Sequence, residues 1–144
     1  MTDLDSKIFV AQKAFIEKNG KVLVLRDPAY VIDGQVGLDF PGGRFRYGVD
    51  PHEELKREIA EETGLEVEIG RPFMTWANIN HKRVSNKFEI YLIGFECKYK
   101  SGEVTLSEEH DGFEWVDEKS YNKWKEDSSY FQALEQYFRF KKGV

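Results

Sequence analysis

The chain of 144 residues carries a single cysteine, Cys97, so no internal disulfide can form. That count fits a reducing cytoplasm. No apolar run approaches the roughly eighteen residues that a membrane-spanning helix needs. The opening residues, MTDLDSKIF, are too polar and acidic for a secretory leader. Positive charge is in deficit, with 21 Lys and Arg against 26 Asp and Glu and a net charge of −5. This balance argues against nonspecific nucleic-acid binding, which runs on basic side chains. A small polyanionic substrate would need local arginines or metal ions. Internal repeats, low-complexity tracts and linkers are also missing, so residues 1–144 are expected to form one domain.

What is present is a mixture of strand and helix patterns. IFVAQKAFIE (8–17) and KVLVLR (21–26) are two β-rich runs around Asn19-Gly20, a strong hairpin signal. Residues 28–37, with Pro28, Gly34 and Gly37, read as a loop. LDF (38–40) is a short strand before Pro41-Gly42-Gly43. PHEELKREIAEET (51–63) is a helix with marked ends. Asp50 suits the N-cap, Pro51 the first turn, Glu53 a capping box and Gly64 the position just past the end.

Residues 66–79 read as extended, and KFEIYLIGFECK (87–98) as a strand buried on both faces. Cys97 falls in that strand as a packed thiol. GFEWV (112–116) is another strand, with Trp115 in the core. A last helix is expected over 129–141, its Phe131, Leu134 and Phe138 forming a packing stripe. The order of elements predicts a mixed α/β (α+β) sandwich.

The helix at 51–63 poses a question. At about 100° per residue, Glu54, Glu58, Glu61 and Glu62 share one side, beside the apolar stripe of Leu55 and Ile59. Like charges at i,i+4 repel, and partial burial adds to that cost unless a cation neutralises them. Oxygen donors of this kind suit Mg²⁺ or Mn²⁺. An acidic helix is more often a solvated face, so the flanking residues decide.

Those residues read GRFRYGVDPHEELKREIAEETGL from Gly43 to Leu65. The segment resembles the Nudix box: Gly, five residues, Glu, seven residues, then Arg-Glu-hydrophobic-any-Glu-Glu-any-Gly-hydrophobic. Gly43, Arg57, Glu58, Ile59, Glu61, Glu62, Gly64 and Leu65 match. The first glutamate of the pattern falls on Val49, which removes a partner for Arg57; Asp50 stands next door as a substitute, but its N-cap role competes.

The resemblance implies a Nudix-type α/β/α sandwich with a mixed sheet. It implies a pyrophosphohydrolase that cleaves a nucleoside diphosphate derivative at phosphorus with Mg²⁺ or Mn²⁺. It implies Glu58 and Glu62 as principal metal ligands, Glu61 in the same shell, and the carbonyl of Gly42 or Gly43 as a backbone donor. Glu54 is left as an outer ligand, and Arg57 orients the glutamates. Glu109, ahead of Glu108, is the candidate for an extra ligand or general base; a solvated loop carboxylate stands at even weight.

Arg44 and Arg46 are candidates for phosphate contacts, against a surface role. His81, with Lys82 and Arg83, is a candidate basic lip, against a solvated hairpin loop. Trp76 and Tyr30 are candidates to stack on a base, with core packing favoured for Trp76. His52 and His110 lack zinc-site spacing. A small nucleotide is the expected partner, with substrate choice in residues 27–37 and 79–87; dimers enter by family analogy alone. The alternative function is a Nudix-fold nucleotide-binding module without turnover, motivated by Val49.

Overall fold

The structure is a computed structural model that describes residues 7–78 and 88–143. Strand β1 spans Lys7–Lys18 and β2 Lys21–Arg26, joined at Asn19-Gly20, where both residues have positive φ. This is the turn whose twist matches the flanking strands. Short strands β3 (Leu38–Asp39) and β4 (Gly42–Arg44) precede helix α1 (Pro51–Thr63). Strands β5 (Glu66–Ala77), β6 (Phe88–Ser101) and β7 (Gly112–Val116) follow, and helix α2 covers Ser129–Lys141. A single 3₁₀ turn, Pro28–Tyr30, lies in the expected loop, and another spans Tyr121–Trp124.

Among the described residues the strands form one mixed sheet, ordered β3-β2-β1-β6-β5, with β4 against β1 and β7 against β2. Every pairing is antiparallel except β1 with β6, which run parallel from Lys7–Phe88 to Glu17–Lys98. β1 pairs with β2 only near the hairpin, at Glu17 and Lys18, then takes β4 at Ala11, Gln12 and Lys13. This change of partner brings Gly42 and Gly43 alongside the middle of β1.

Alternation along β1 and β2 builds two cores. Ala11, Phe15, Val22 and Val24 face α2, where they meet Phe131, Leu134 and Phe138. Ala14, Ile16, Leu23 and Leu25 face α1, where they meet Leu55 and Ile59. The sheet is therefore a layer between two helices. One expectation is corrected: β6 is not buried on both faces throughout. Tyr91 is 44% exposed, and its hydroxyl pairs with Thr75 Oγ1 at 2.8 Å. Tyr91 thus lies on the outer surface with a polar partner rather than in a core.

Candidate metal centre

Helix α1 is fixed at both ends. The Asp50 carboxylate accepts from the N–H groups of His52 and Glu53 at 2.9 and 3.2 Å, and Gly64 takes a left-handed φ of 72°. Gln12, fully enclosed on β1, donates its side-chain amide to the carbonyl of Pro51. With Leu55 and Ile59 packed on the sheet, the glutamate side of the helix is turned toward the β1–β4 junction.

Two glycines let that junction come close, for different reasons. Gly42 has φ 134°, and a β-carbon there would lie 2.0 Å from the backbone oxygen of Gln12. Gly43 is limited by a side chain: a β-carbon there would lie 2.1 Å from Glu58 Oε2. The Gly42 N–H donates to Glu62 Oε2 at 2.8 Å. Glu58 and Glu62, one helical turn apart, thus both reach the Gly-Gly strand. Glu58 Oε1 is buried without a hydrogen-bond partner. Burial, with the neighbouring Glu54 charge, pushes the Glu58 carboxyl up to about 7. Burial likewise pushes Glu62 up to about 7, against the opposing pull of Lys13 and the Gly42 N–H. Carboxylates held this way favour either a proton or a cation. The orphaned oxygen, the second carboxylate and the adjacent backbone fit a hard divalent ion.

The four helix glutamates do not form one uniform stripe. Glu54 is buried and gives both oxygens to arginines: Arg46 Nε and Nη2 at 3.0 and 2.9 Å, and Arg57 Nη2. Of the two competing roles for Asp50 the structure has the N-cap, and the partner of Arg57 is Glu54. Arg57 Nη1 also donates to Glu61 Oε1 at 2.6 Å, so it links two of the helix glutamates.

The opposite wall was not evident from sequence. Asp39 Oδ1 accepts from Lys13 Nζ at 3.0 Å, and its Oδ2 pairs with His110 Nε2 at 2.9 Å. Lys13 also donates to the carbonyl of Phe40. All three side chains are enclosed. Burial works to lower both bases, but Asp39 and Glu62, joined at Lys13 by Tyr130, together hold Lys13 and His110 above their ordinary values. The loop carrying Glu109 is tied to α1, since the Ser107 and Thr105 N–H groups donate to the last-turn carbonyls of Glu62 and Thr63. As a result, ligand-capable atoms of Glu62, Glu109 and His110 lie within 4.8 Å of one another.

A cleft of about 470 Å³ runs between these walls. It is lined by Glu58, Glu61, Glu62, Glu109 and Gly43, and by Lys13, Asp39, Arg44, Tyr30, Asn78 and Tyr130. Arg44 and Tyr30, candidates from the sequence, both line the cleft. Arg46 is turned to Glu54 instead. Trp76 packs edge-on against Phe15 and Tyr130, behind the cleft wall. His81, Lys82 and Arg83 lie outside the described residues. Glu108 is exposed and does not line the cleft. The signal for the missed residues was weak: a lysine and an aspartate beside buried apolar residues in β1 and β3.

The fold and the carboxylate cradle together define an α/β/α hydrolase-type domain. The chain belongs to the NUDIX domain family, whose pattern matches residues 10–137. It is 33% identical over 116 residues to nucleoside triphosphatase NudI of Enterobacter sp. (strain 638), covering 74% of this chain and 80% of that protein. It is 31% identical over 114 residues to nucleoside diphosphate-linked moiety X motif 6 of Xenopus laevis, covering 77% of this chain and 50% of that one. The chain thus matches only half the length of the frog protein. The crystal structure of a MutT protein from Methanosarcina mazei Go1 superposes with a TM-score of 0.78 at 23% identity, covering 99% of this chain and 100% of that one.

Proposed function

We propose that the protein hydrolyses the pyrophosphate linkage of a nucleoside diphosphate derivative, with Mg²⁺ or Mn²⁺, by attack of water at phosphorus. The observation that carries this reading is Glu58 Oε1, buried and without a partner beside Gly43 and Glu62. Glu58 and Glu62, with Glu61 and the Gly43 carbonyl, would hold the cation. A bound divalent ion supplies charge neutralisation for phosphate oxygens and a more acidic water. Arg44 faces the cleft and would pair with a phosphate. Glu109, exposed on the rim near Glu62, is the group assigned to take the proton from the attacking water. Tyr30 and Tyr130 supply aromatic surface for the nucleoside end of the substrate.

The names of the two relatives differ in substrate, one nucleoside triphosphate and one diphosphate-linked, and both shapes share the anhydride this cradle would act on. The alternative of a binding module without turnover was motivated by Val49. It loses force because Arg57 has Glu54 as a partner.

The test is product-mass analysis on a panel of nucleoside triphosphates, nucleotide sugars and dinucleoside polyphosphates, with Mg²⁺, Mn²⁺ or EDTA. Metal-dependent release of a nucleoside phosphate, lost in Glu62→Gln, is expected. Nucleotide binding without release on any member of the panel would favour the binding module.

A further inference from the structure

The ion-paired network around Glu54 goes beyond the cradle reading, on which it rests. Glu54 lies one helical turn before Glu58. Its side chain is only 3% exposed, whereas those of Arg46 and Arg57 are 60% and 44% exposed. The carboxylate is thus the enclosed member of the cluster, and two guanidiniums reach in to it from the surface. Arg46 engages it with two parallel N–H groups, the geometry that arginine matches best to a carboxylate. Arg57 bridges from it to Glu61.

Both guanidinium charges are also felt at Glu58. Glu58 offers a buried oxygen that lacks a partner. An arginine released from Glu54 would have a ready acceptor there, in the space a cation needs. Arg46 sits in the turn that leads to Val49, whose N–H donates back to the Arg46 carbonyl at 3.4 Å. That turn is where the box pattern carries a glutamate and this chain does not.

We propose that Glu54 is a positioning residue of the metal cradle: it tethers Arg46 and Arg57 so that neither guanidinium enters the cation site. It does so from inside the helix, in place of a carboxylate at residue 49. The metal affinity of this chain therefore depends on a residue outside the ligand set.

The test is Mn²⁺ binding to the metal-free protein, followed by electron paramagnetic resonance and calorimetry alongside the melting temperature. Glu54→Gln is expected to bind Mn²⁺ about 10- to 100-fold more weakly, the usual effect of removing an outer-shell partner. Adding Arg46→Gln, which removes a stray guanidinium, or Val49→Glu, which restores a tether, is expected to recover most of that loss. A merely structural role would move the melting temperature and leave the affinity of the folded protein alone.

Affinity of folded Glu54→Gln within about threefold of wild type overturns the proposal. So does a second substitution that recovers melting temperature but not affinity. If Glu54→Gln does not fold, the double variants Glu54→Gln/Arg46→Gln and Glu54→Gln/Arg46→Lys decide: weaker Mn²⁺ binding by the lysine variant, which keeps a stray cation, supports the tether, and equal affinity overturns it. A wild-type protein that binds no Mn²⁺ overturns the cradle itself, an outcome distinct from any failure confined to the variants.

Discussion

Gly43 and Glu58 share one small volume: the place a β-carbon would occupy on Gly43 is 2.1 Å from Glu58 Oε2. The glycine next to it is limited instead by the backbone of Gln12. Alanine at each position should therefore separate site from fold. Gly43→Ala is expected to displace the Glu58 carboxylate and lower turnover by roughly 10- to 100-fold, with a melting temperature near wild type. Gly42→Ala meets main chain at a positive φ and is expected to cost about 2 kcal/mol or more in stability. Thermal melts and steady-state rates on both variants check the contrast.

Metal-free protein should lose stability as pH rises. Glu58 and Glu62 have native carboxyls raised to about 7, above the ordinary value of 4.5. A group raised on folding holds its proton more firmly in the native state. Its contribution is complete below the unfolded value and is lost as pH climbs through about 7. Melts in EDTA should show this decline between pH 5 and pH 8, and Glu62→Gln should flatten it. Glu62→Gln is also expected to raise the metal-free melting temperature at pH 8 by roughly 3–8 °C. Divalent ions compete with these protons, so stabilisation by Mg²⁺ should be larger at pH 8 than at pH 6.

Asp39 is the shared partner of two enclosed bases, Lys13 and His110. Asp39→Ala would leave a buried ammonium without its counter-charge, at a cost of about 3–5 kcal/mol. Chemical denaturation should show a lower midpoint at unchanged slope. Lys13→Met made on top of Asp39→Ala should recover part of the loss, because the stranded charge goes with it.

One oxygen of Glu126 accepts from three consecutive N–H groups, those of Val36, Gly37 and Leu38, at 2.9–3.1 Å. This contact fastens the loop that carries Tyr30 to the segment just ahead of α2. Glu126→Ala is expected to cost about 1–3 kcal/mol. Amide exchange at Val36–Leu38 should accelerate more than exchange in β1, and an unchanged exchange pattern would count against the contact.

Much of the fold was legible because local signals agreed. Asp50, Pro51 and Gly64 mark α1, and the bounds of both helices match those read from the sequence. Asn19-Gly20 marks the hairpin. Helical spacing put the glutamates on one side, but only the resemblance of the flanking residues to the Nudix box separated a candidate cation site from a solvated face. The pairing of Glu54 with Arg46 was not legible, since it depends on how the loop before α1 turns back. Nor was the Lys13–Asp39–His110 group, whose members are 26 and 71 residues apart along the chain and meet only when the sheet closes. Sequence pattern reports which face a residue occupies; it does not report which strangers meet there.

The parallel pairing of β1 with β6 also sets an order in time. The two strands are separated by about eighty residues, so their ladder carries a large loop-closure entropy and belongs to the slow steps of folding. On a ribosome adding about 5–20 residues per second, β1 and the cradle helix emerge several seconds before the strand that completes their support. In that interval Leu55 and Ile59 have the β1–β2 hairpin and the start of β5 to rest on, without β6 to hold either in place. The newborn chain would carry Glu58, Glu61 and Glu62 before it has the sheet that aims them.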